Sequence, residues 1–332
     1  MLDLKMLAID IGTSEVTILK DGEIVLREPS VVAVDVENRK KIALGDEAKK
    51  MVGRSPDYIE VIEPIKSGVI VDYEGALLMM KSYLQKVMGR NWFVGPEVVT
   101  AIPSGNTQVE RRAVIDVLRE AGARKVYLID SPLAAAIGAK VPISDIFGNM
   151  VVSLGGGVVD AAVIASGGVV KVKQIRQGGG MVNDLISDYL NSQYSLVVGK
   201  QVVEDIKIKL LSAVKLKKED FLDVGGRDLM NGLPKKINVS STEIFELVRP
   251  DMDKIVTLMK SVIEITPAEL VSDIIDRGVI LTGAFAKTRG IDLWLSREIG
   301  IPVHVAIDPE FCVVKGLGMV VDNWDLYKAS LR

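Results

Sequence analysis

The 332-residue chain predicts an α/β protein built from two duplicated halves that face one another across a cleft. Three observations carry that prediction. Strand-like and helix-like apolar segments alternate, the pattern of a mixed sheet covered by helices. A strand–glycine turn–strand unit occurs twice. Leu7 to Gly22 contains Asp10-Ile11-Gly12-Thr13, and Val151 to Gly168 contains Ser153-Leu154-Gly155-Gly156-Gly157. A longer unit of strand, loop, helix, glycine, strand, acidic-Pro turn and helix also occurs twice. It runs from Val98 to Gly138 with Asp130-Ser131-Pro132, and from Val279 to Gly318 with Asp308-Pro309. Two like halves side by side leave a cleft, and both glycine turns are expected to face it.

Taken in order, Leu7–Ile11 and Val16–Leu19 read as strands about the first glycine turn. Val98–Ile102 is a short apolar strand. Gln108–Ala121 reads as a helix, because Ala113, Val114, Val117, Leu118 and Ala121 make one stripe and Gly122 supplies a stop. Val126–Ile129 is the next strand and Pro132–Ala139 the next helix. Asn149 to Val170 is nearly free of charge, but its glycines, Asp160 and two serines break it into short blocks. It reads as buried strands joined by glycine turns rather than a membrane span. Two segments fall outside the repeat, Pro29 to about Asp72 and Gly178 to about Val239, and are expected as small insertions on one side of the cleft. The resulting division is a first large subdomain of 1–29, 73–140 and 310–332, with a first small subdomain of 30–72. A second large subdomain takes 141–177 and 240–309, with a second small subdomain of 178–239. Lys207, Lys209, Lys215, Lys217 and Lys218 in the last of these read as a solvated helix face.

Composition narrows the chemistry. Hydrophobic residues are 48% of the chain, enough for real cores, and the length suits about two domains. The net charge of −3 argues against a bulk nucleic-acid binder. One Cys (Cys312) and one His (His304) exclude an internal disulfide and a Cys/His metal cluster. His304 lies in what reads as a strand, so a His-based nucleophile relay is set aside. Catalysis must rest on carboxylates, lysines, backbone amides or a bound metal. With no signal peptide visible, the expected location is cytoplasmic.

A strand–Asp-x-Gly-Thr–strand turn brings several backbone N–H groups to one point, where they can wrap a phosphate. Asp10 at the strand end can hold Mg²⁺ directly or through water. Gly12 permits close approach, and Thr13 offers a hydroxyl. One such turn is a weak signal, but two in duplicated halves would grip a nucleotide tail from both sides.

Several stretches are more specific. They are Ile9–Thr13 (Ile-Asp-Ile-Gly-Thr), Glu28–Ala33 (Glu-Pro-Ser-Val-Val-Ala), Ala101–Gly105 (Ala-Ile-Pro-Ser-Gly) and Val109–Val114 (Val-Glu-Arg-Arg-Ala-Val). Gly122–Ile129, Gly226–Leu229, Gly232–Lys235, Asp273–Gly278 and Gly300–Ala306 continue the series. Over nearly its whole length the chain resembles the actin-like ATPase superfamily, and within it the MreB-type bacterial actins. The resemblance implies an actin-like fold of four subdomains about a nucleotide cleft, binding ATP or ADP with Mg²⁺. It implies a homopolymer of paired filaments, peripheral on the inner membrane face, that maintains cell shape. Implied partners are anionic lipid, a paralogous MreB and membrane proteins of wall synthesis, with no nucleic acid.

Residue by residue the resemblance is uneven. Asp10, Gly12 and Thr13 match the first phosphate turn. Gly155, Gly156 and Gly157 match the second, but Ser153 stands where the family has Asp. Ser131 stands where the family has the residue that positions the attacking water. Gly179 and Gly180 replace a Gly-Asp pair, and Gly283-Ala284-Phe285 keeps only the first glycine of the adenine-side run. Glu204 and Lys207 match the helix beside the nucleoside, and Asp160 matches an acid of the second hairpin. A serine neither supplies charge toward Mg²⁺ nor deprotonates water, and loss of a general base costs ~10²–10⁴ in rate. Asp130 is expected to point away from Ser131's side of the strand end. The leading expectation is a filament-forming protein with weak or absent ATP hydrolysis. The alternative is a fully active MreB-type ATPase. A sugar or acetate kinase would need a catalytic acid that these positions lack, and a chaperone would need a peptide-binding domain. Trp92 and Phe93, with Arg90 beside them, form a Gly-flanked aromatic pair suited to the bilayer interface.

Overall fold

The computed structural model describes residues 6–89 and 95–331. The chain opens with an antiparallel meander of β1 (Met6–Ile11), β2 (Glu15–Lys20) and β3 (Glu23–Pro29). An insertion follows: β4 (Val32–Asp35), β5 (Lys41–Leu44), α1 (Gly45–Met51) and β6 (Ile59–Ile62), a small sheet in the order β5-β4-β6. The short hairpin β7 (Ile65–Lys66) and β8 (Val69–Ile70) leads into α2 (Tyr73–Met88). Then come β9 (Glu97–Ile102), α3 (Gln108–Glu120), β10 (Lys125–Asp130) and α4 (Ser131–Gly138). The strand and helix positions read from the sequence match these elements to within a residue or two at each end. α3 starts where predicted because Thr107 and Glu110 form a reciprocal capping box.

The second half repeats the plan. β11 (Asn149–Leu154), β12 (Val159–Ala165) and β13 (Gly168–Ile175) form the same meander. Its insertion holds α5 (Gly179–Tyr194), β14 (Leu196–Val197), α6 (Lys200–Leu210), β15 (Phe221–Asp228) and β16 (Pro234–Ser240). α7 (Ser241–Ile263), α8 (Ala268–Arg277), β17 (Val279–Thr282), α9 (Ile291–Ile299), β18 (Val303–Val305), α10 (Cys312–Asp322) and α11 (Trp324–Tyr327) complete the chain. The first large sheet runs β10-β9-β1-β2-β3 and the second runs β18-β17-β11-β12-β13, so strand for strand they are one topology used twice. β11 and β12 are buried along their whole length, which is why they are apolar except for Asn149, Ser153 and Asp160.

The two sheets face each other through a shared core. Ala8, Val99 and Ala101 of the first sheet and Val151, Ala162 and Ile164 of the second close on α4 and α10. The helices are exchanged: α10 lies on β1 and β2, while α4 lies on β11 and β12. They cross at glycine. A Cβ on Gly316 would collide with the Ala134 carbonyl, and one on Gly138 with the Cys312 carbonyl. The outer face of the first sheet packs on α2 and α3, and that of the second on α7 and its neighbours. Both insertions lie on one side of the cleft, where Lys200 Nζ meets Glu63 Oε1 at 2.6 Å.

One expectation is corrected. The five lysines do not share a helix face. α6 ends at Leu210, and Lys215, Lys217 and Lys218 lie in the connection to β15, where Ser212 bridges to Arg289. Lys207 is not solvated either: its side chain is 15% exposed and bonded to Glu204. His304 lies in β18, as read. Cys312 is buried, and burial pushes its thiol up to about 11, so it is inert.

Candidate functional site

The two glycine turns share one local geometry. Gly12 N–H donates to the Glu15 carbonyl at 3.0 Å, and Gly155 N–H donates to the Val158 carbonyl at 3.0 Å. The turns meet tip to tip. A Cβ on Gly156 would strike the Ser14 hydroxyl, and one on Gly157 the Thr13 hydroxyl. The Thr13 hydroxyl also accepts the Gly68 N–H at 3.1 Å. The amides of Thr13, Ser14, Gly156 and Gly157 find no acceptor among the described residues. Two opposed nests of backbone N–H groups thus stand at the carboxyl ends of β1 and β11, where open α/β sheets bind ligands.

Each hairpin carries a buried acid beside a hydroxyl residue on the facing strand. Asp10 on β1 is the cross-strand partner of Thr17, and Ser153 on β11 is the partner of Asp160. The duplicated positions thus hold a carboxylate and a hydroxyl in exchanged order. In the second sheet the polar row continues to Thr282 on one side and Gln174 on the other. Burial, with Glu15 adding repulsion, pushes Asp10 up to about 7. Burial also pushes Asp160 up to about 7; the Ser104 amide opposes this, and Asp130 reinforces it. Both acids prefer to be neutral unless a cation joins them.

Asp130 closes β10, pairs with Arg111, and by its charge opposes the ionisation of Asp160. Arg111 Nη2 lies 3.3 Å from Asp130 Oδ1 and donates to the Ser104 carbonyl at 3.2 Å, while its Nε donates to the Asn106 carbonyl at 3.2 Å. Ser131 follows directly as the first residue of α4. The loop before α3 is clasped from the second half. Gly105 N–H donates to Gln174 Oε1 at 3.0 Å, and Arg176 pairs with Glu110 at 2.9 Å, holding that carboxyl below its usual range. The sequence does not mark Arg111, Ser104 or Gln174 as site residues. The first two lie inside the motifs of 101–105 and 109–114, and only the register of β12 on β13 reveals the third.

A second cluster surrounds the start of α5. Gly179 N–H donates to the Gly155 carbonyl at 3.0 Å, and Gly180 N–H to the Gly156 carbonyl at 2.7 Å. Lys207 Nζ reaches the Gly179 carbonyl at 3.3 Å and Glu204 Oε2 at 2.8 Å, and Asn183 Nδ2 donates to the same Glu204 oxygen at 2.7 Å. Burial works against Glu204, yet Lys207 and Asn183 keep it below the usual carboxylate range. Gly283, at φ +87°, sits against the Leu154 carbonyl, and the Phe285 ring packs on Gly179. The structure therefore gathers Asp10, Gly12, Thr13, Gly155, Gly156, Gly157, Asp160, Glu204, Lys207 and Gly283 around the two turns. Arg90, Trp92 and Phe93 lie outside the described residues.

The family model for MreB/Mbl protein matches residues 4–329. The chain belongs to the MreB/Mbl family. It is similar to cell shape-determining protein Mbl of Bacillus subtilis, 41% identical over 320 residues and 96% of each chain. It is 39% identical to cell shape-determining protein MreB of Escherichia coli, over 98% of this chain and 95% of that one. Among solved structures it is similar to MreB5 of Spiroplasma citri, at 32% identity. The ADP-bound form gives a TM-score of 0.90 over 97% of both chains, and the AMPPNP-bound form 0.91 over 98% of both. The MamK double helical filament, at 16% identity and a TM-score of 0.79 over 96% of this chain and 98% of that one, shares the fold alone. This MreB/Mbl chain thus has the actin-like fold. Its cleft fits a nucleotide on its own evidence: four free turn amides and a buried Asp160 Oδ1 with no partner among the described residues. Those residues hold no group of three or more His, Cys, Asp or Glu arranged for a metal.

Proposed function

We propose that the chain is a filament-forming, cell-shape cytoskeletal protein that binds ATP or ADP with Mg²⁺ in this cleft and hydrolyses ATP weakly or not at all. The observation that carries the reading is the pair of opposed turns with free amides, flanked by Ser131 and Ser153 where catalysis needs acids. The amides of Thr13, Ser14, Gly156 and Gly157 would hold phosphate oxygens. Asp10 would hold Mg²⁺, directly or through its waters, and the ion would neutralise phosphate charge. Lys207 and Glu204 would face the nucleoside. The Ser131 hydroxyl can accept a hydrogen bond from water but cannot take its proton at neutral pH.

Assembly into a homopolymer, attachment to anionic lipid through Trp92 and Phe93, and a peripheral place on the inner membrane face belong to the same reading. Each rests on family membership and on the aromatic pair. Among the described residues, no helix is long and apolar enough to cross a membrane. A filament would multiply a weak lipid contact by avidity. The division into two large and two small subdomains completes the proposal, with the insertions as the small ones.

The nearness of Asp130 to Asp160 favours a second reading, in which these two acids replace the missing ones and hydrolysis survives. Phosphate release on purified protein decides between them. The first reading expects turnover ~10²–10⁴ below an intact relative, rising in the Ser131→Glu, Ser153→Asp double variant. Turnover at an intact relative's rate that falls with Asp130→Asn would establish the second. Pelleting with and without vesicles, each with ATP, ADP or no nucleotide, tests assembly and lipid attachment. A Trp92→Ala, Phe93→Ala variant that polymerises but no longer floats with vesicles identifies the anchor, and undiminished lipid binding removes it.

A further inference from the structure

The duplication supplies its own comparison. β3 and β13 are the edge strands that lead into the insertions, and α2 and α7 are the helices that return from them. In the first half the seam between strand end and helix is closed. Lys86 Nζ donates to Glu28 Oε1 at 2.9 Å, and the Tyr83 hydroxyl to the Pro29 carbonyl at 3.1 Å. In the second half the seam is an open groove of about 490 Å³. Its walls include Lys173, Gln174 and Ile175 of β13 and Lys254, Leu258 and Ser261 of α7.

Three properties of this groove bear on what it receives. Consecutive strand residues line it, so it runs along the edge of β13 rather than over one face. The backbone of Val169–Ile175 bonds only to β12 among the described residues, which leaves a row of outward N–H and C=O groups. The α7 wall uses positions i, i+4 and i+7, one helix face running about 10 Å, the span of about three extended residues. An exposed sheet edge with a wall that can take alternate side chains is what peptides use when they bind by strand addition.

Charge selects the occupant. The first half sets Lys86 against Glu28, whose counterpart by register in the second is Ile175; the second half instead has Lys173 on the strand and Lys254 on the helix, and no carboxylate among the described residues lines the groove. Lys171 stands on the same strand face as Lys173 by alternation. Lys254 contacts Asp251 of its own helix but remains 49% exposed. Lysines on an edge strand also discourage unwanted pairing. That role needs no facing wall, whereas here Ile175 and Leu258 give the groove an apolar floor. The geometry points to a docking site for an extended acidic segment of a partner protein, added as a sixth strand beside β13. Its backbone takes the free edge, alternate apolar side chains enter between Ile175 and Leu258, and its carboxylates meet Lys173 and Lys254. The inference is independent of the nucleotide reading, since no residue of the glycine turns lines the groove.

The test uses the full chain and an end-blocked, fluorescent heptapeptide of alternating Glu and Val, followed by anisotropy. Saturable binding is expected. It should weaken at least about tenfold in the Lys173→Glu, Lys254→Glu variant and at raised salt. N-methylation of alternate peptide amides should abolish it. Hydrogen exchange on the unmodified chain gives a reading that needs no variant: the amides of Lys171–Ile175 should slow on adding peptide. Absence of binding at millimolar peptide overturns the proposal. So does binding that survives the lysine reversals, or binding indifferent to N-methylation, which would be plain charge adsorption. If the reversals alter self-association while peptide leaves β13 exchange unchanged, the groove serves a second copy of the chain and the proposal fails.

Discussion

Asp10 and Asp160 carry the clearest consequences at the scale of single residues. Both are carboxyls with an ordinary value near 3.8 that burial pushes up to about 7. The folded chain therefore holds these protons between about pH 4 and pH 7, where the unfolded chain has lost them. Stability falls as pH rises through that window, and the cost is complete above pH 7. For a shift of about three units the ceiling is roughly 4 kcal/mol per group. Asp160→Asn keeps an acceptor for the Ser104 amide and removes the charge. Its melting temperature without nucleotide should exceed that of the unmodified chain at pH 8 and converge with it below pH 4. Equal melting at pH 8 would mean that the Asp160 carboxylate is compensated in place. Arg111 is the counterpart on the first half. It is buried and bonded to Asp130 and to two loop carbonyls, so Arg111→Met would remove one charged partner from the half-buried Asp130 and the donor from both carbonyls. A loss of about 2 kcal/mol is expected by denaturant titration.

Among elements, α3 and the α4–α10 crossing are the most exposed to test. Thr107 and Glu110 cap α3, and Glu110 also pairs with Arg176 of the second half. Thr107→Ala should cost about 1 kcal/mol. Glu110→Ala should cost more, since it removes the cap and the link together. Gly316→Ala places a methyl on the Ala134 carbonyl between two packed helices. It should destabilise by at least about 3 kcal/mol or prevent folding, and an unchanged melt would contradict the crossing. These elements also show what the sequence discloses. The stripe of Val114, Val117 and Leu118 announces α3, and the twin glycine turns and acid-Pro turns announce the duplication, because periodicity and turn chemistry are local. The exchange of α4 and α10 between sheets is not local: an apolar helix does not declare which sheet it covers. The pairing of Asp130 with Arg111, 19 residues away along the chain, is hidden for the same reason. Charge repetition persists past Leu210, where α6 stops, so Lys215, Lys217 and Lys218 read as helical in sequence although they lie in a connection.

The whole molecule is two halves joined firmly at one end of the cleft and loosely at the other. At the joined end α4 and α10 share a buried core with both sheets. At the open end Lys200 and Glu63, 69% and 37% exposed, tie the insertions, and such a pair is worth at most about 1 kcal/mol. Between these lie the two turns. A ligand held by both would bind only the folded, closed chain and would stabilise it by mass action. At 100 times its dissociation constant that is about 2.7 kcal/mol, which for a chain of this length raises the melting temperature by about 4 °C. The same arithmetic holds for ADP and ATP and requires no hydrolysis, so it separates binding from turnover. Gly157→Val would push a branched side chain onto the Thr13 hydroxyl and wedge the turns apart. This variant should melt cooperatively without nucleotide yet show no shift with it, whereas Lys200→Glu should keep the shift and change the nucleotide-free melt by less than about 2 °C. A chain that melts at one temperature with and without millimolar Mg-ADP and Mg-ATP does not hold a nucleotide between its turns, and the proposed function would then have to be one in which the cleft is structural.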